Sequence, residues 1–156
     1  MTVVALTTFI ELTDASGAVR GLYQNSKVGS SITLNDKSYS FLSFIYQGAA
    51  KNRTGDNLQA NLVLASNALS MNYVYEAVQN RWNVRVDSCS MNPETFTVGK
   101  VLTTEYWIAA GLTYDAEVIE VLLSSSIDAV GTNAPTRVLT KEMVGSLPTT
   151  ANIQNR

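Results

Sequence analysis

Apolar and polar residues alternate along much of the chain, and this two-residue period predicts β-strands. In residues 57–65, leucine and alanine dominate every second position, opposite Gln59, Asn61 and Val63. Residues 82–88 alternate in the same way, with tryptophan and valine opposed to Asn, Arg and Asp. One face of each strand is therefore expected to lie in a core and the other to face outward.

Strand composition and turn residues predict a further series of strands. They cover residues 3–12, 19–24, 32–34, 38–44, 99–110 and 116–124. Turns are expected at residues 14–17, 35–37 and 111–115, and a charged loop at residues 47–56. The last two strands are apolar on both faces at their centres, which is typical of strands that are central in a sheet or covered by contacts.

One segment has helical spacing instead. Its apolar stripe, at i, i+3, i+4 and i+7, consists of Met71, Val74, Tyr75 and Val78. Ser70 or Asn67 is expected to cap its start, and Asn80 to end it. A helix of this length needs the sheet to support it. Tyr73 lies off the stripe, so it is either a contact anchor or simply exposed.

These elements predict a mainly β fold, an antiparallel barrel-like or two-sheet domain with one short inserted helix. The β-rich domain is expected to span residues 1–142. Gly131, Pro135, Gly145 and Pro148 interrupt the pattern that follows Ser126. Residues 143–156 are therefore expected to form an extended C-terminal tail that orders on a partner.

Composition favours a subunit with covered faces. Hydrophobic residues make up 46% of the 156 residues and charged residues 15%, against about 25% charged in a typical globular domain. The alternative is a neutral surface rich in Ser, Thr and Asn. The net charge is -2 and no cationic run is present, which disfavours specific nucleic-acid binding. A conduit through which DNA passes would need no such patch.

No apolar stretch reaches 18 residues, so membrane insertion is not expected. The first residues lack a basic region and a cleavage site, and Cys89 is the single cysteine. The chain is therefore expected to be intracellular when it is made.

The sequence contains no histidine, which removes His-based catalysis and most zinc sites. Isolated turn aspartates offer no metal motif, so no metal or cofactor is expected. Glu117 and Glu120 are predicted on opposite faces of one strand and cannot converge. Two alternatives to an assembly role stay open. One is a carboxylate enzyme that uses Glu105. The other is a carbohydrate-binding β-sandwich that stacks sugars on Tyr106, Trp107 or Trp82.

The order of elements resembles the N-terminal domain of tailed-phage minor tail proteins of the lambda L type and related tail-hub proteins. The resemblance lies in the aromatic strand pair within residues 32–44, the charged loop, the leucine-rich strand, the short helix after Asn67-Ala-Leu-Ser, and Trp82-Asn-Val-Arg-Val. The segment Pro135-Thr-Arg-Val-Leu-Thr before Gly145 belongs to it too. Longer members continue into a cysteine-bearing part associated with an iron-sulphur cluster. This chain has only Cys89, so no cluster is carried over.

The resemblance implies a non-enzymatic virion component at the tail tip. Such a subunit would form a homo-oligomer, a trimer, in a ring between the tail tube or distal tail ring and the central hub or spike. Candidate interface residues lie in the charged loop, the helix, a long strand and the tail. They are Arg53, Asp56, Tyr73, Trp107, Leu147 and Ile153.

Overall fold

A computed structural model describes residues 3–48 and 59–125 of the chain. Within these residues the chain forms nine strands and one helix. Their bounds are β1 (Ala5–Thr13), β2 (Val19–Gln24), β3 (Ile32–Leu34), β4 (Lys37–Phe41), β5 (Phe44–Gln47), β6 (Gln59–Ala65), α1 (Ala68–Gln79), β7 (Asn83–Met91), β8 (Val98–Tyr114) and β9 (Val118–Ser124). The prediction of a mainly β fold with one short helix is confirmed.

All of these strands belong to one hydrogen-bonded sheet, in the order β3-β4-β2-β1-β7-β8-β9-β6-β5. Most neighbouring strands are antiparallel, but β2 and β4 run parallel to each other. The sheet is therefore mixed, whereas consecutive strands joined by tight turns were expected to form only antiparallel pairs. Strands β8 and β9 lie in the interior of the order, as expected from their apolar centres.

The link between β4 and β5 forces the sheet to curl. These strands are seven places apart in the order, which in a flat sheet corresponds to about 34 Å at ~4.8 Å per strand. Only Leu42 and Ser43 join them, and the Cα–Cα steps from Phe41 to Phe44 reach at most about 11 Å. The two ends of the sheet therefore come together in a barrel-like form. We call the junction between β4 and β5 the seam.

The inner face of the curled sheet forms the main core together with α1. Its buried strand residues come from β1, β7, β8, β9, β6 and β5, and Tyr23 of β2 and Leu42 of the seam pack against them. The buried strand residues include Ile10, Leu12, Phe44, Ala60, Leu62, Leu64, Val84, Val86, Trp107, Ala109, Ile119, Val121 and Leu123. The predicted inward positions of residues 60, 62 and 64 and of residues 84 and 86 are confirmed.

Helix α1 packs on this inner face largely through the predicted stripe. Val74 is buried and Met71 and Val78 pack against the core, whereas Tyr75 is 54% exposed. Two residues off the stripe, Tyr73 and Ala77, also belong to the packed face. The half-buried Tyr73 ring lies edge-on to Tyr23 at 5.9 Å and to Trp82 at 5.2 Å between centroids. The apolar pattern did not reveal them because Ala77 is small and both tyrosines of the helix are amphipathic.

A glycine makes this packing possible. A Cβ atom at Gly21 of β2 would lie 2.2 Å from the Tyr73 hydroxyl oxygen, closer than atoms can approach. Burial raises the pKa of Tyr73, and the neighbouring Tyr23 raises it further. Gly21 thus lets the helix approach the sheet through a large side chain.

A smaller core lies on the outer face, beneath the β3–β4 hairpin. Asn35 and Asp36 both have positive φ angles, at 50° and 63°, as a tight two-residue hairpin turn requires. The cluster has six buried side chains, three of which belong to the hairpin itself. They are Phe9, Ile32, Leu34, Tyr39, Cys89 and Met91. This cluster stabilises one part of the outer face and leaves the rest of that face uncovered by the hairpin.

Two predicted boundaries are wrong. Residues 111–115 are predicted as a turn, but β8 continues to Tyr114, and an irregularity between Ala109 and Gly111 explains the interrupted pattern. The turn follows instead, where the Asp115 carboxylate accepts hydrogen bonds from the backbone N–H groups of Glu117 and Val118. Residues 38–44 are predicted as one strand, but residues 42–43 interrupt it and separate β4 from β5.

The start of α1 is capped by reciprocal hydrogen bonds. The Asn67 side chain accepts from the Ser70 backbone N–H at 2.8 Å, and the Ser70 hydroxyl accepts from the Asn67 backbone N–H at 3.0 Å. The Asn67→Ala substitution is expected to lower the free energy of unfolding by about 1 kcal/mol, because one helix N–H loses its partner. Chemical denaturation followed by circular dichroism measures this change.

Asn72→Ala is the matched control, because Asn72 is exposed in the middle of the same helix. It is expected to be neutral or to stabilise the fold by up to about 0.5 kcal/mol, since alanine is the better helix former. Equal losses in both variants would contradict the capping role of Asn67.

Candidate interaction surface

Apolar side chains on the outer face of β5, β6, β9 and β8 form a stripe that crosses all four strands. Ile45 of β5 pairs with Val63 of β6. Leu122 of β9 pairs with Asn61, which lies two residues before Val63 on the same face of β6. Ile108 of β8 pairs with Ser124, two residues after Leu122 on the same face of β9. Tyr106 lies two residues before Ile108, on the same face of β8. We call Ile45, Val63, Leu122, Ile108 and Tyr106 the outer stripe.

The outer stripe is accessible. Tyr106 is 71% exposed, Ile45 62% and Leu122 36%, and the other two members are half-buried. The same strands send their alternate residues into the main core. Because one face is already buried, the apolar residues on the other face contribute little to folding. Large exposed apolar areas of this kind are typical of interaction sites.

Several polar groups around the stripe are partnered within the chain. The Asn61 side chain donates to the Glu120 carboxylate at 2.8 Å. The Arg85 guanidinium lies 5.9 Å from the centre of the Tyr106 ring and forms an ion pair with Asp87 at 3.1 Å. An apolar partner would meet these groups with their hydrogen bonds already made, which lowers the desolvation cost. The hydroxyl of Ser124, opposite Ile108, is instead buried without a hydrogen-bond partner among the described residues.

A second apolar area lies at the start of β1. Val3, Val4 and Leu6 are 68%, 61% and 74% exposed. Leu6 of β1 pairs with Ser90 of β7, and β1 lies two places from β8, the nearest strand of the outer stripe. We call these three residues the N-terminal patch. The chain therefore offers two separate apolar surfaces.

The inner face holds a polar contact that joins strands far apart in the sheet order. The Tyr46 hydroxyl of β5 donates to the Glu105 carboxylate and accepts from Trp107 Nε1 at 2.8 Å. Burial raises the pKa of Tyr46, and the bond to Glu105 raises it further. Glu105 is thus engaged in a structural contact with Tyr46 and Trp107.

This arrangement bears on the two alternatives that were left open. The rings of Trp107 and Trp82 are buried, at 7% and 3% exposed, so neither offers a face on which a sugar can stack. Tyr106 is exposed, but its ring faces Arg85. Glu105 lies half-buried beside Tyr46, and the structure brings no second carboxylate to it by a hydrogen bond.

The structure describes two of the predicted interface residues. Trp107 is buried, and Tyr73 is half-buried and packs against the main core. Arg53, Asp56, Leu147 and Ile153 lie outside the described residues, as do the charged loop beyond Gly48 and the predicted boundary at residues 142 and 143.

Buried charges on the outer face form structural pairs. Lys37 Nζ lies 2.6 Å from Glu11 Oε1, and Thr104 donates to Asp87 at 2.6 Å. These contacts tie the β3–β4 hairpin and β8 to the neighbouring strands. In residues 3–48 and 59–125, no group of three or more His, Cys, Asp or Glu residues is placed to hold a metal ion.

Cys89 is fully buried in the outer core. Burial, and then the nearby Asp87, raises the pKa of its thiol to about 11. The thiolate form that reacts with electrophiles is therefore scarce near neutral pH. This agrees with its interpretation as a small hydrophobic core residue.

The sequence matches no protein-family model and no curated protein. The helix that the structure describes is too short to cross a bilayer. The candidate surface is therefore defined by its geometry alone.

Tyr46→Phe tests the contact across the closed sheet. It removes the hydroxyl that satisfies both Glu105 and Trp107, and is expected to lower the free energy of unfolding by about 1–3 kcal/mol. The tryptophan emission should change as well, because the indole N–H loses its acceptor. Urea denaturation followed by fluorescence measures both effects.

Tyr75→Phe is the matched control. The exposed Tyr75 hydroxyl accepts only from the Gln79 side chain on the same helix, so its loss is expected to change stability by less than about 0.5 kcal/mol. A Tyr46→Phe variant as stable as wild type would contradict a stabilising role for this contact between β5 and β8.

Proposed function

We propose that this chain is a non-enzymatic structural subunit that assembles with other protein chains through the outer stripe. The observation that carries the proposal is the position of the stripe. It crosses four neighbouring strands whose opposite face is already buried in the main core. Association would remove this apolar area from water, and the hydrophobic effect would drive it.

The distal tail of a tailed bacteriophage is the proposed setting. The order of strands, loop and helix in the sequence supports it through its resemblance to tail-hub proteins. In this proposal the subunit belongs to the virion and forms a ring between the tail tube and the central hub or spike. Its role is mechanical, and DNA passes along the axis of the ring without specific recognition.

The two apolar surfaces support a ring of identical subunits. A closed ring requires heterologous contacts, in which one patch of a subunit docks on a different patch of its neighbour. The outer stripe and the N-terminal patch lie on different strands and would supply the two different faces of such a contact. A stable trimer would need about 1,000 Å² or more buried at each contact.

A lysine in the stripe is the direct test. Ile45→Lys and Leu122→Lys place a charge at two accessible positions and are expected to weaken association at least tenfold, about 1.4 kcal/mol, because the charge is desolvated in the interface. Both variants should keep the wild-type circular dichroism spectrum. Light scattering across a concentration series gives the mass, and incorporation into purified tails gives the assembly yield.

Val28→Lys is the matched control, since Val28 is 77% exposed and lies outside both apolar surfaces. It should assemble like wild type. Assembly of the stripe variants at the wild-type concentration would refute the proposed role of the stripe. A glycan that binds the wild-type chain and is lost with Tyr106→Ala would favour the carbohydrate-binding alternative.

A further inference from the structure

An apolar cavity of about 390 Å³ lies at the seam, between α1 and the inner face of the sheet. Leu12 and Leu64 contribute to its walls from strands four places apart in the sheet order. Leu42, in the two-residue link, and Val74 and Ala77 of α1 complete the enclosure. We call this space the seam cavity. It lies where the two-residue link connects β4 to β5, two strands of the described sheet that are not hydrogen-bonded neighbours.

The seam cavity reaches the surface near the start of α1. Leu69 lines it and is nevertheless 85% exposed. An exposed leucine at the rim, followed by an apolar interior, is a common arrangement at the entrance of a hydrophobic binding site. A ligand can therefore enter beside the first turn of the helix without unfolding the domain.

The lining determines the chemical class of the ligand. Among the described residues that line the cavity none is charged, and most are aliphatic. Asn67 and Ser70, which lie at the rim, are engaged with each other in the helix cap. A charged head group would thus find no counter-charge among these residues, whereas a hydrocarbon chain would make apolar contacts with most of the lining.

We propose that the seam cavity binds a single uncharged hydrocarbon chain. Its volume has room for on the order of ten methylene groups, each close in size to the ~30 Å³ of a water molecule. The chain enters by the Leu69 rim and leaves its polar end in solvent there. A free amphiphile and the acyl chain of a membrane lipid share this chemistry. Of these two sources we assign the free, single-chain amphiphile.

The proposal is independent of the outer stripe. The stripe lies on the outer face of the sheet and the cavity on the inner face, so a substitution in one does not touch the other. Failure of assembly through the stripe and failure of ligand binding are therefore separate results.

Titration of the full chain with 1-decanol, followed by isothermal calorimetry, tests the proposal. We expect saturable binding at one site with a negative heat-capacity change, and a rise in Tm with ligand concentration. Decanoate serves as the charged comparison at neutral pH and should bind at least tenfold more weakly, because Asn67, Leu69 and Ser70 at the rim offer its carboxylate no counter-charge.

Ala77→Leu should abolish or weaken decanol binding at least tenfold, because the larger side chain fills the cavity. Ala68→Leu is its control, since Ala68 is an exposed residue at the first position of the same helix, and it should bind like wild type. If Ala77→Leu does not fold, Val74→Ala provides a second test. It enlarges the cavity and should increase the affinity for 1-dodecanol relative to 1-decanol.

Several results would overturn the proposal. One is the absence of saturable decanol binding by the folded wild-type chain. Another is binding that is unaffected by both Ala77→Leu and Val74→Ala. Association with phosphatidylcholine vesicles without binding of free decanol would assign the surface to a membrane instead. Binding that requires removal of residues 126–156 would show that this chain supplies its own occupant.

Discussion

The two-residue link between β4 and β5 is the constraint on which the rest of the structure depends. It joins strands from opposite ends of a nine-membered order, and a chain of that length cannot bridge a flat sheet. Closure follows, and with it a division into an inner and an outer face. The Tyr46 contact to Trp107, between β5 and β8, is an independent sign of the same curl.

Closure also explains the unequal use of apolar residues. Helix α1 and the alternate side chains of nearly every long strand pack on the inner face, so most of the buried apolar area lies on this side. Among the described residues, the buried cluster of the outer face lies beneath the β3–β4 hairpin. The outer stripe belongs to neither cluster. Its apolar residues are most simply explained by contact with another molecule.

Local patterns predicted much of the secondary structure. Alternation identified β6 and β7 because one face of each is buried, and Val19–Gln24 was predicted with its observed bounds. The Asn67 cap was recognisable because capping depends on residues three apart. Failures came where tertiary packing decides. On the helix, Met71, Val74 and Val78 pack on the core as predicted, but Tyr73, opposite Gly21, takes the place expected for Tyr75.

The surface and the cavity depend on contacts that no local pattern contains. The outer stripe becomes continuous only through the register of β5, β6, β9 and β8, and Tyr46 meets Trp107 across 61 residues of sequence. Two-sided apolar composition in β9 did indicate a central or contact-covered strand. The parallel pairing of β2 with β4 had no comparable signal, and it is this pairing that leads the chain to the seam.

Hydroxyl-radical footprinting of the isolated chain and of assembled tails would test the central claim, that the outward apolar face is a contact surface. Val28 serves as an exposed reference and Trp82 as a buried one. The account predicts that labelling of Tyr106, Leu122 and Ile45 falls on assembly while both references are unchanged. Equal labelling of these three residues before and after assembly would contradict it.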